Sequence, residues 1–288
     1  TIAKHYHVCC LSGFLNLKSF IFTMLLLLSP QTFAIERIVS LAPSSTELVF
    51  AAGLGDKLIA VSEFSDYPQQ VKKLEKVASF DSVNIERIIA LNPDLIVAWR
   101  SGGLKKALSQ LESLGFQIYY SDTNRLTDIA LRIEELSQYA DDSAIGLSNA
   151  KEFKIKLEKL YSKFKEKQSI RYFYQLSSKP LYTIAQDHWP SEVFSLCGGI
   201  NIFKESPSPY PQVGLEQVLV RKPEVIFTSA HTIQNPELWT KWKTQLPAVK
   251  NDYVWSLNAD WLNRPTPRSL MAIEEVCDRF DQVRKTPH

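Results

Sequence analysis

A loop near the C-terminus concentrates side chains that are suited to binding a ligand. Residues 257–268 read LNADWLNRPTPR, in which an indole lies beside opposite charges and two prolines follow. Proline fixes φ and removes a backbone donor, so the sequence predicts a stiff loop without regular helix. An aromatic ring next to charged groups offers both contact area and polar contacts. We expect this loop to form one wall of a ligand site, in which Trp261 supplies contact area and Asp260 and Arg264 supply polar contacts.

Motifs of catalysis are missing from the sequence. There is no G-x-S-x-G elbow, no P-loop and no H-E-x-x-H motif. The segment GLGDKL (53–58) has two glycines of a dinucleotide fingerprint but lacks the third glycine and the distal acid. After residue 34 the histidines are His188, His231 and His288, and none lies at metal-ligand spacing. The sequence therefore favours a protein that is not an enzyme and has no cofactor or metal of its own.

Aromatic residues recur at the ends of predicted strands and in loops. Trp99, for example, follows the apolar stretch DLIVA and precedes RSGG. Ligands of open α/β sheets bind beyond the carboxyl ends of the strands, where rings can hold a large, partly apolar molecule. Packing against its own lobe is the alternative for any one ring. As a set, they predict a cleft lined by Phe64, Phe80, Trp99, Trp189, Tyr210 and Trp261.

The segments that would position these rings alternate between apolar strands and amphipathic helices. Residues 37–61 indicate strand, turn, helix and strand, with the hydroxyls at 44–46 as the helix cap and Gly53 as its end. Residues 84–100 add a helix over 85–91, ended by a proline, and a buried strand. Helices that alternate with apolar strands predict an α/β fold.

One long helix divides this pattern. Residues 143–168 contain neither proline nor a strand pattern, and a helix of about 25 residues would be about 37 Å long. Its apolar stripe comprises Phe153, Leu157, Leu160, Tyr161 and Phe164. We predict two Rossmann-like α/β lobes, over 35–140 and 170–288, joined by a helix over 141–169. A coiled-coil dimerisation helix is the alternative, but the stripe is shorter than the usual run of heptads.

The second lobe repeats part of the first. NIERIIALNPDLIV (84–97) aligns without gaps to GLEQVLVRKPEVIF (214–227), and each has a glutamate at its third position. STELVFAAGLG (45–55) echoes SEVFSLCGGI (191–200) in the same order along the chain. Two matches in one order are hard to ascribe to chance in apolar segments, so they predict two related lobes.

Residues 1–34 have the layout of a secretory signal peptide. Lys18 precedes the apolar run FIFTMLLLL (20–28), and the small or polar stretch SPQTFA follows it. The apolar run is too short to span a bilayer, so we expect cleavage after Ala34 and an exported protein. A membrane-anchored protein is the alternative. The net charge of +2 makes no case for nucleic acid or for a membrane surface as partner.

Two cysteines remain once this leader is removed, Cys197 and Cys277. An even pair in an exported chain predicts a disulfide, which on the chain-entropy model would stabilise the fold by about 4–5 kcal/mol. Two free buried thiols and a metal site are the alternatives.

The chain resembles the cobalamin receptors of ABC importers, which are periplasmic binding proteins whose lobes are joined by one rigid helix. The likeness covers residues 36–283 and is carried by the ordered series SLAPSSTELVFAAG, FSDYP, NIERIIALNPDLIVAWR, LCGGINIF, PQVGLEQVL and DWLNR. It implies a transport protein that captures vitamin B12 (cobalamin) between its lobes and delivers it to the ABC transporter permease. It also implies a monomer when free, with cobalamin as the transported ligand.

The resemblance assigns roles to particular residues. It implies that Glu86 and Glu216, one in each lobe, dock onto arginines of the permease, and that Cys197 and Cys277 form the family disulfide. Two carboxylates on related lobes can grip a two-fold transporter symmetrically through charge-assisted pairs.

Some cleft positions depart from the family pattern. Phe64 stands where the family usually has Tyr, while Phe80 and Tyr210 stand where the best-known relatives carry Trp. Trp99 and the segment from Asp260 to Arg264 match the family directly, so the resemblance implies that Leu262 and Asn263 also belong to the ligand site. The aromatic lining is kept. A receptor for haem or a ferric siderophore is the nearest alternative, although a siderophore would favour more cations than Arg100 and Arg264. A periplasmic enzyme and a metal-ion receptor are more distant alternatives.

Overall fold

The N-terminal half folds into a five-stranded parallel sheet in the computed structural model, which describes residues 35–100, 103–229 and 237–285. The predicted signal peptide, together with His231 and His288, lies outside these residues. The strand order is β3-β2-β1-β4-β5. The strands are β1 (Ile38–Ser40), β2 (Leu58–Ser62), β3 (Glu75–Ala78), β4 (Leu95–Ala98) and β5 (Ile118–Tyr120). Both β1 and β4 are buried along their whole length, as expected of parallel strands that are covered on both faces.

Helices cover this sheet. They are α1 (Pro43–Ala51), α2 (Ile85–Leu91), α3 (Lys105–Ser113) and α4 (Leu126–Ser137). The predicted hydroxyl cap of α1 is wrong, because the helix begins at Pro43 and its N-cap, Ala42, makes no side-chain hydrogen bond. Proline at the first helical position has its φ preset and needs no amide partner. Gly53, with φ 84°, ends this segment as the sequence predicts.

The long helix α5 (Ala144–Phe164) follows. Its 21 residues span about 31 Å, less than expected, because the backbone leaves the helical region at Lys165. Tyr161 was predicted in the buried stripe but is half exposed, and its hydroxyl donates a hydrogen bond to Glu192 (2.8 Å). The buried stripe comprises Gly146, Ala150, Phe153, Leu157, Leu160 and Phe164. In the part of the chain that the structure describes, no helix has the length and apolarity to cross a membrane.

The C-terminal half forms a four-stranded parallel sheet in the order β11-β10-β6-β9. Its strands are β6 (Ile170–Gln175), β9 (Gly199–Asn201), β10 (Val225–Ser229) and β11 (Val254–Leu257), and β7 (Ser177–Ser178) pairs antiparallel with β8 (Leu181–Tyr182). The helices are α6 (Ser191–Leu196), α7 (Leu215–Arg221), α8 (Glu237–Thr240), α9 (Pro247–Lys250), α10 (Ala259–Leu262) and α11 (Ser269–Lys285). Helix α5 packs against α1 and α4 on one side and α11 on the other, so the prediction of two α/β lobes joined by one helix is confirmed.

The internal repeat extends to backbone detail. The residues that end α2 and α7 both adopt the left-handed conformation, with φ 43° and 47°. Just beyond, Asp94 accepts a hydrogen bond from the amide of Arg37 (2.9 Å), and Glu224 accepts one from the amide of Arg171 (2.8 Å). Each lobe therefore fastens its first strand to the strand beside it with a carboxylate at the same place in the repeat.

A disulfide joins Cys197, at the end of α6, to Cys277 in α11, with the two Cα atoms 4.9 Å apart. Both residues are fully buried. The predicted bridge is confirmed, and it ties the short helix α6 to the longest helix of the second lobe.

Candidate functional site

A cleft lies between the lobes, where the carboxyl ends of strands from both sheets meet. The first sheet contributes Pro43 after β1, Ser62 at the end of β2 and Ser121 after β5, and the second contributes Leu176 after β6. Its volume is about 320 Å³. Because ligands of parallel sheets bind at this edge, the cleft is the candidate binding site.

Five of the predicted aromatic residues line this cleft. Phe64, Phe80 and Trp99 come from the first lobe, and Trp189 and Tyr210 come from the second. Phe64 and Phe80 are 75% and 79% exposed, which is unusual for such large apolar side chains. Apolar rings that are left in water gain free energy when a ligand covers them, at about 25 cal/mol per Å² of apolar surface.

Phe64 has a strained backbone, with φ 59°. The left-handed region is rare for a bulky residue and costs about 1–3 kcal/mol unless the surroundings hold it there. Arg264 from the other lobe supplies part of that support, because its Nη2 donates to the carbonyl of Phe64 (3.2 Å). The ring of this residue is exposed and lines the cleft.

The loop over residues 257–268 contains one turn of helix, α10, before Pro265. This corrects the prediction of a loop without helix. Asn258 caps it, since its side-chain oxygen accepts from the amides of Asp260 (3.0 Å) and Trp261 (3.2 Å). Leu262 is fully buried and its side chain does not line the cleft, so its assignment to the ligand site stays a prediction. Trp261 packs against the main core and does not line the cleft, and neither does Asp260.

Asn263 and Arg264 do line the cleft. The side-chain oxygen of Asn263 accepts a hydrogen bond from the hydroxyl of Tyr174 (2.9 Å). The carbonyl of Leu262 accepts one from Nε1 of Trp189 (2.9 Å), which fixes the orientation of that indole. The turn formed by α10 therefore buries Ala259 and Leu262, and the next two residues, Asn263 and Arg264, line the cleft.

Arg264 is held in place by carboxylates. Its Nη1 lies 2.7 Å from Asp66 of the other lobe, and its Nη2 lies 2.8 Å from Asp260. Burial raises the pKa of Asp66, but the hydrogen bond and positive charge of Arg264 outweigh this, and the net pKa is lowered. Both terminal nitrogens of the guanidinium thus have partners within the protein, which makes Arg264 a fixed part of the wall.

Hydroxyl groups saturate one another beneath the cleft. Thr46 Oγ1 lies 3.1 Å from Ser65 Oγ, which lies 3.0 Å from Ser62 Oγ. Ser45 and Ser121 form a second pair, with their Oγ atoms 2.7 Å apart. Two of the hydroxyls that were predicted as a helix cap, those of Ser45 and Thr46, therefore belong to a polar, hydrogen-bonded floor.

Sequence reasoning missed most of the small residues of the lining. They comprise Leu41, Ala42, Pro43, Ser44, Ser62, Glu63, Ser79, Gly103, Leu104, Ser121 and Thr123 in the first lobe, and Leu176, Pro190 and Pro265 in the second. Most lie within a few residues of a strand's carboxyl end. The rule that ligands bind beyond the carboxyl ends of parallel strands, applied to each strand in turn, would have found them.

Glu86 and Glu216 occupy the same position in two equivalent helices, the second residue of α2 and of α7. Both side chains are exposed, and neither forms an ion pair with any residue in the described ranges. Each helix runs back against the strands of its sheet, so its first turn lies at the sheet edge that also carries the cleft. The two carboxylates are available to a partner on that side.

Comparison with known proteins shows which family the chain belongs to. Residues 38–260 match the family model described as periplasmic binding protein. The chain belongs to this family. It is 53% identical over 262 residues to the vitamin B12-binding protein of Vibrio vulnificus (strain YJ016), an alignment that covers 91% of this chain and 96% of that one. The predicted resemblance is confirmed.

Solved structures agree on the fold. The crystal structure of the periplasmic vitamin B12 binding protein BtuF of Vibrio cholerae is 55% identical, with a TM-score of 0.84, and covers 88% of this chain and 99% of that one. The periplasmic heme-binding protein RhuT from Roseiflexus sp. RS-1 has a TM-score of 0.76 at 20% identity, covering 86% and 99% of the two chains. At that identity, the second likeness concerns the fold alone.

Proposed function

We propose that this protein is a periplasmic receptor that captures vitamin B12 (cobalamin) in the cleft between its lobes and delivers it to the permease of an ABC importer. The observation that carries the proposal is the identity of 53% with a vitamin B12-binding protein over nearly the whole of both chains. A binding function, not catalysis, accords with membership of a family of binding proteins.

The chemistry of the cleft fits a corrinoid. Cobalamin presents a broad, partly apolar macrocycle edged with amide groups, which rings can cover while polar side chains bond the edge. Phe64, Phe80 and Trp99 on one wall and Tyr210 on the other supply the area, and Asn263 and Arg264 supply polar groups. The exposed rings of Phe64 and Phe80 would be covered by the macrocycle. The proposal needs no protein ligand to cobalt.

The proposal assigns residues 35–140 and 170–288 to the two lobes and 141–169 to the segment that joins them. It places the free protein in the periplasm as a monomer, after export directed by the predicted signal peptide. The disulfide supports this location, because such bridges persist in oxidising compartments. Glu86 and Glu216 would then dock onto arginines of the permease.

Titration of the purified protein with cyanocobalamin tests the proposal. Isothermal calorimetry is expected to give one site per chain with a Kd below micromolar, because the rings that form the walls are already in place and little ordering is needed. Parallel titrations with haem and a ferric siderophore are the controls. Binding of either of these without tight binding of cyanocobalamin would overturn the proposal in favour of the alternative receptors.

Removing one ring should weaken that binding measurably. Trp99→Ala is expected to raise the Kd for cyanocobalamin about 10- to 100-fold, since a covered aromatic side chain contributes about 1.5–3 kcal/mol. Trp99→Phe keeps most of the ring and should raise the Kd less. An unaltered Kd for Trp99→Ala, with the thermal unfolding temperature also unaltered, would remove Trp99 from the ligand site.

A further inference from the structure

Two glutamates occupy equivalent places in the two lobes. Glu47 lies on α1, the first helix after β1, and Glu192 lies on α6, the first helix after β6 and its hairpin. Each helix is followed by a glycine with left-handed φ, Gly53 (84°) and Gly198 (81°). Each glutamate lies six residues before that glycine, so the internal repeat superposes one glutamate on the other.

Glu47 reaches from the first lobe into the second. Arg268 Nε donates to its Oε2 (2.8 Å) and Arg268 Nη2 donates to its Oε1, while Arg264 Nη1 lies 3.4 Å from the same Oε1. The side chain of Glu47 is 3% exposed. A buried carboxylate with two-point contact to a guanidinium is geometrically fixed, and its loss leaves positive charge uncompensated.

Glu192 reaches the opposite way, from the second lobe to the first. Its Oε2 accepts from the amide of Leu126 at the start of α4 (2.6 Å), and its Oε1 accepts from the hydroxyl of Tyr161 on α5 (2.8 Å). Arg125 Nη2 lies 3.9 Å from Oε1. Burial, followed by the hydrogen bond to Glu192, raises the pKa of Tyr161, so its hydroxyl stays a donor at neutral pH.

The two contacts lie beside different parts of the cleft wall. Glu47 bonds Arg264, which itself lines the cleft. Glu192 lies two residues after the lining residue Pro190 and bonds the start of α4, three residues after the lining residue Thr123.

We propose that Glu47 and Glu192 are equivalent positioning residues, which fasten the lobes to each other reciprocally and so set the width of the cleft. The contacts of Glu47 with Arg264 and Arg268 form one clasp, and the contacts of Glu192 with Leu126 and Tyr161 form the other. The inference rests on the proposed function for its effect on ligand, but the lobe spacing is a property of the protein alone.

The clasps act on binding through preorganisation. A stacked ligand needs Phe64 and Trp99 of one lobe and Tyr210 of the other at a fixed separation. A released clasp lets the lobes sample wider separations, so binding must restore the narrow one, which lowers affinity. Most of that loss should appear as faster dissociation, because encounter with the exposed rings is unaltered.

The test measures lobe spacing and ligand release in Glu47→Gln and Glu192→Gln. Spin labels on Lys106→Cys in α3 and Lys250→Cys in α9, both exposed, report the interlobe distance by double electron–electron resonance without ligand. Each clasp variant is expected to broaden the distance distribution toward longer values. Stopped-flow release of cyanocobalamin is expected to be about 10-fold faster, and the combined variant faster than either.

Tyr161→Phe removes one donor from the less buried clasp, so it keeps the inference testable if Glu47→Gln does not fold. It should shift the interlobe distance and the rate of cyanocobalamin release in the same direction as Glu192→Gln, by a smaller amount.

The control is Glu158→Gln, which replaces an exposed glutamate one turn away on α5 and should alter neither the distance nor the release rate. If the distance distributions of Glu192→Gln and Tyr161→Phe match the unaltered protein, the clasps do not set the spacing and the inference is overturned. If the spacing shifts but cyanocobalamin does not bind even the unaltered protein, the clasps stand and the proposed ligand fails.

Discussion

The double variant Glu86→Ala/Glu216→Ala is expected to bind cyanocobalamin with an unaltered Kd and to transport it at background rate in vesicles that contain the permease. Both carboxylates are exposed and lie outside the cleft lining, so their removal should change the free energy of unfolding by less than about 0.5 kcal/mol. Loss of one hydrogen-bonded charge pair at an interface costs about 2–5 kcal/mol. Two such losses should lower docking affinity by a factor of at least about 1000.

The symmetry of the two positions makes this prediction sharper than one for a single residue. Glu86 and Glu216 hold the same place in equivalent helices, so each single variant should lose a similar share of transport. The control Asp56→Ala/Glu205→Ala removes one exposed carboxylate from each lobe elsewhere and should transport normally. Normal transport by the double variant would reject the docking role, and weaker cyanocobalamin binding by it would show that the residues act on the ligand instead.

The local parts of this fold could be predicted well from the sequence. Helix α2 was expected over 85–91 and spans those residues, because Asn84 caps its start through the amide of Arg87 and Pro93 follows its end. The buried strands were visible as short apolar runs, because both of their faces are covered. Such signals depend on neighbours along the chain, which the sequence contains in full.

Helix α4 was missed although its signal is of this local kind. Leu126, Ile129, Ile133 and Leu136 have helical spacing and are all fully buried. The cap of α1 was wrong for another reason. Serine and threonine beside a helix start are good caps, but here the hydroxyl of Thr46 bonds to Ser40 and to the carbonyl of Ala42 beneath the cleft.

The candidate site was predicted in part because its position follows from topology. Rings after strand ends belong to the sheet edge where ligands bind, and five of the predicted rings lie in one cleft. Which side chains of residues 260–264 face that cleft depends on the turn of α10, and no spacing rule reports it. The pairing of Glu47 with Arg268, 221 residues away, has no local signal at all. What the sequence does show is that Glu47 and Glu192 occupy equivalent positions in the internal repeat.

Replacing both bridge cysteines, in Cys197→Ala/Cys277→Ala, is expected to lower the free energy of unfolding by about 4–5 kcal/mol. The bridge spans a sequence separation of 80 residues, and closing so long a loop removes much conformational freedom from the unfolded chain. Guanidinium unfolding monitored by circular dichroism measures the change. The reduced form of the unaltered protein is the control, and it should unfold at nearly the same denaturant concentration as the variant.

The affinity for cyanocobalamin should fall much less than the stability in this variant. The bridge joins α6, which carries Glu192, to α11, which begins directly after Arg268, so it connects the supports of both clasps. Neither clasp includes a cysteine side chain, however, and at low denaturant both helices stay packed in the same core. A loss of affinity as large as the loss of stability would mean that the bridge itself holds the cleft walls. Stability within about 1 kcal/mol of the unaltered protein would mean instead that the unfolded chain gains little freedom from an open loop.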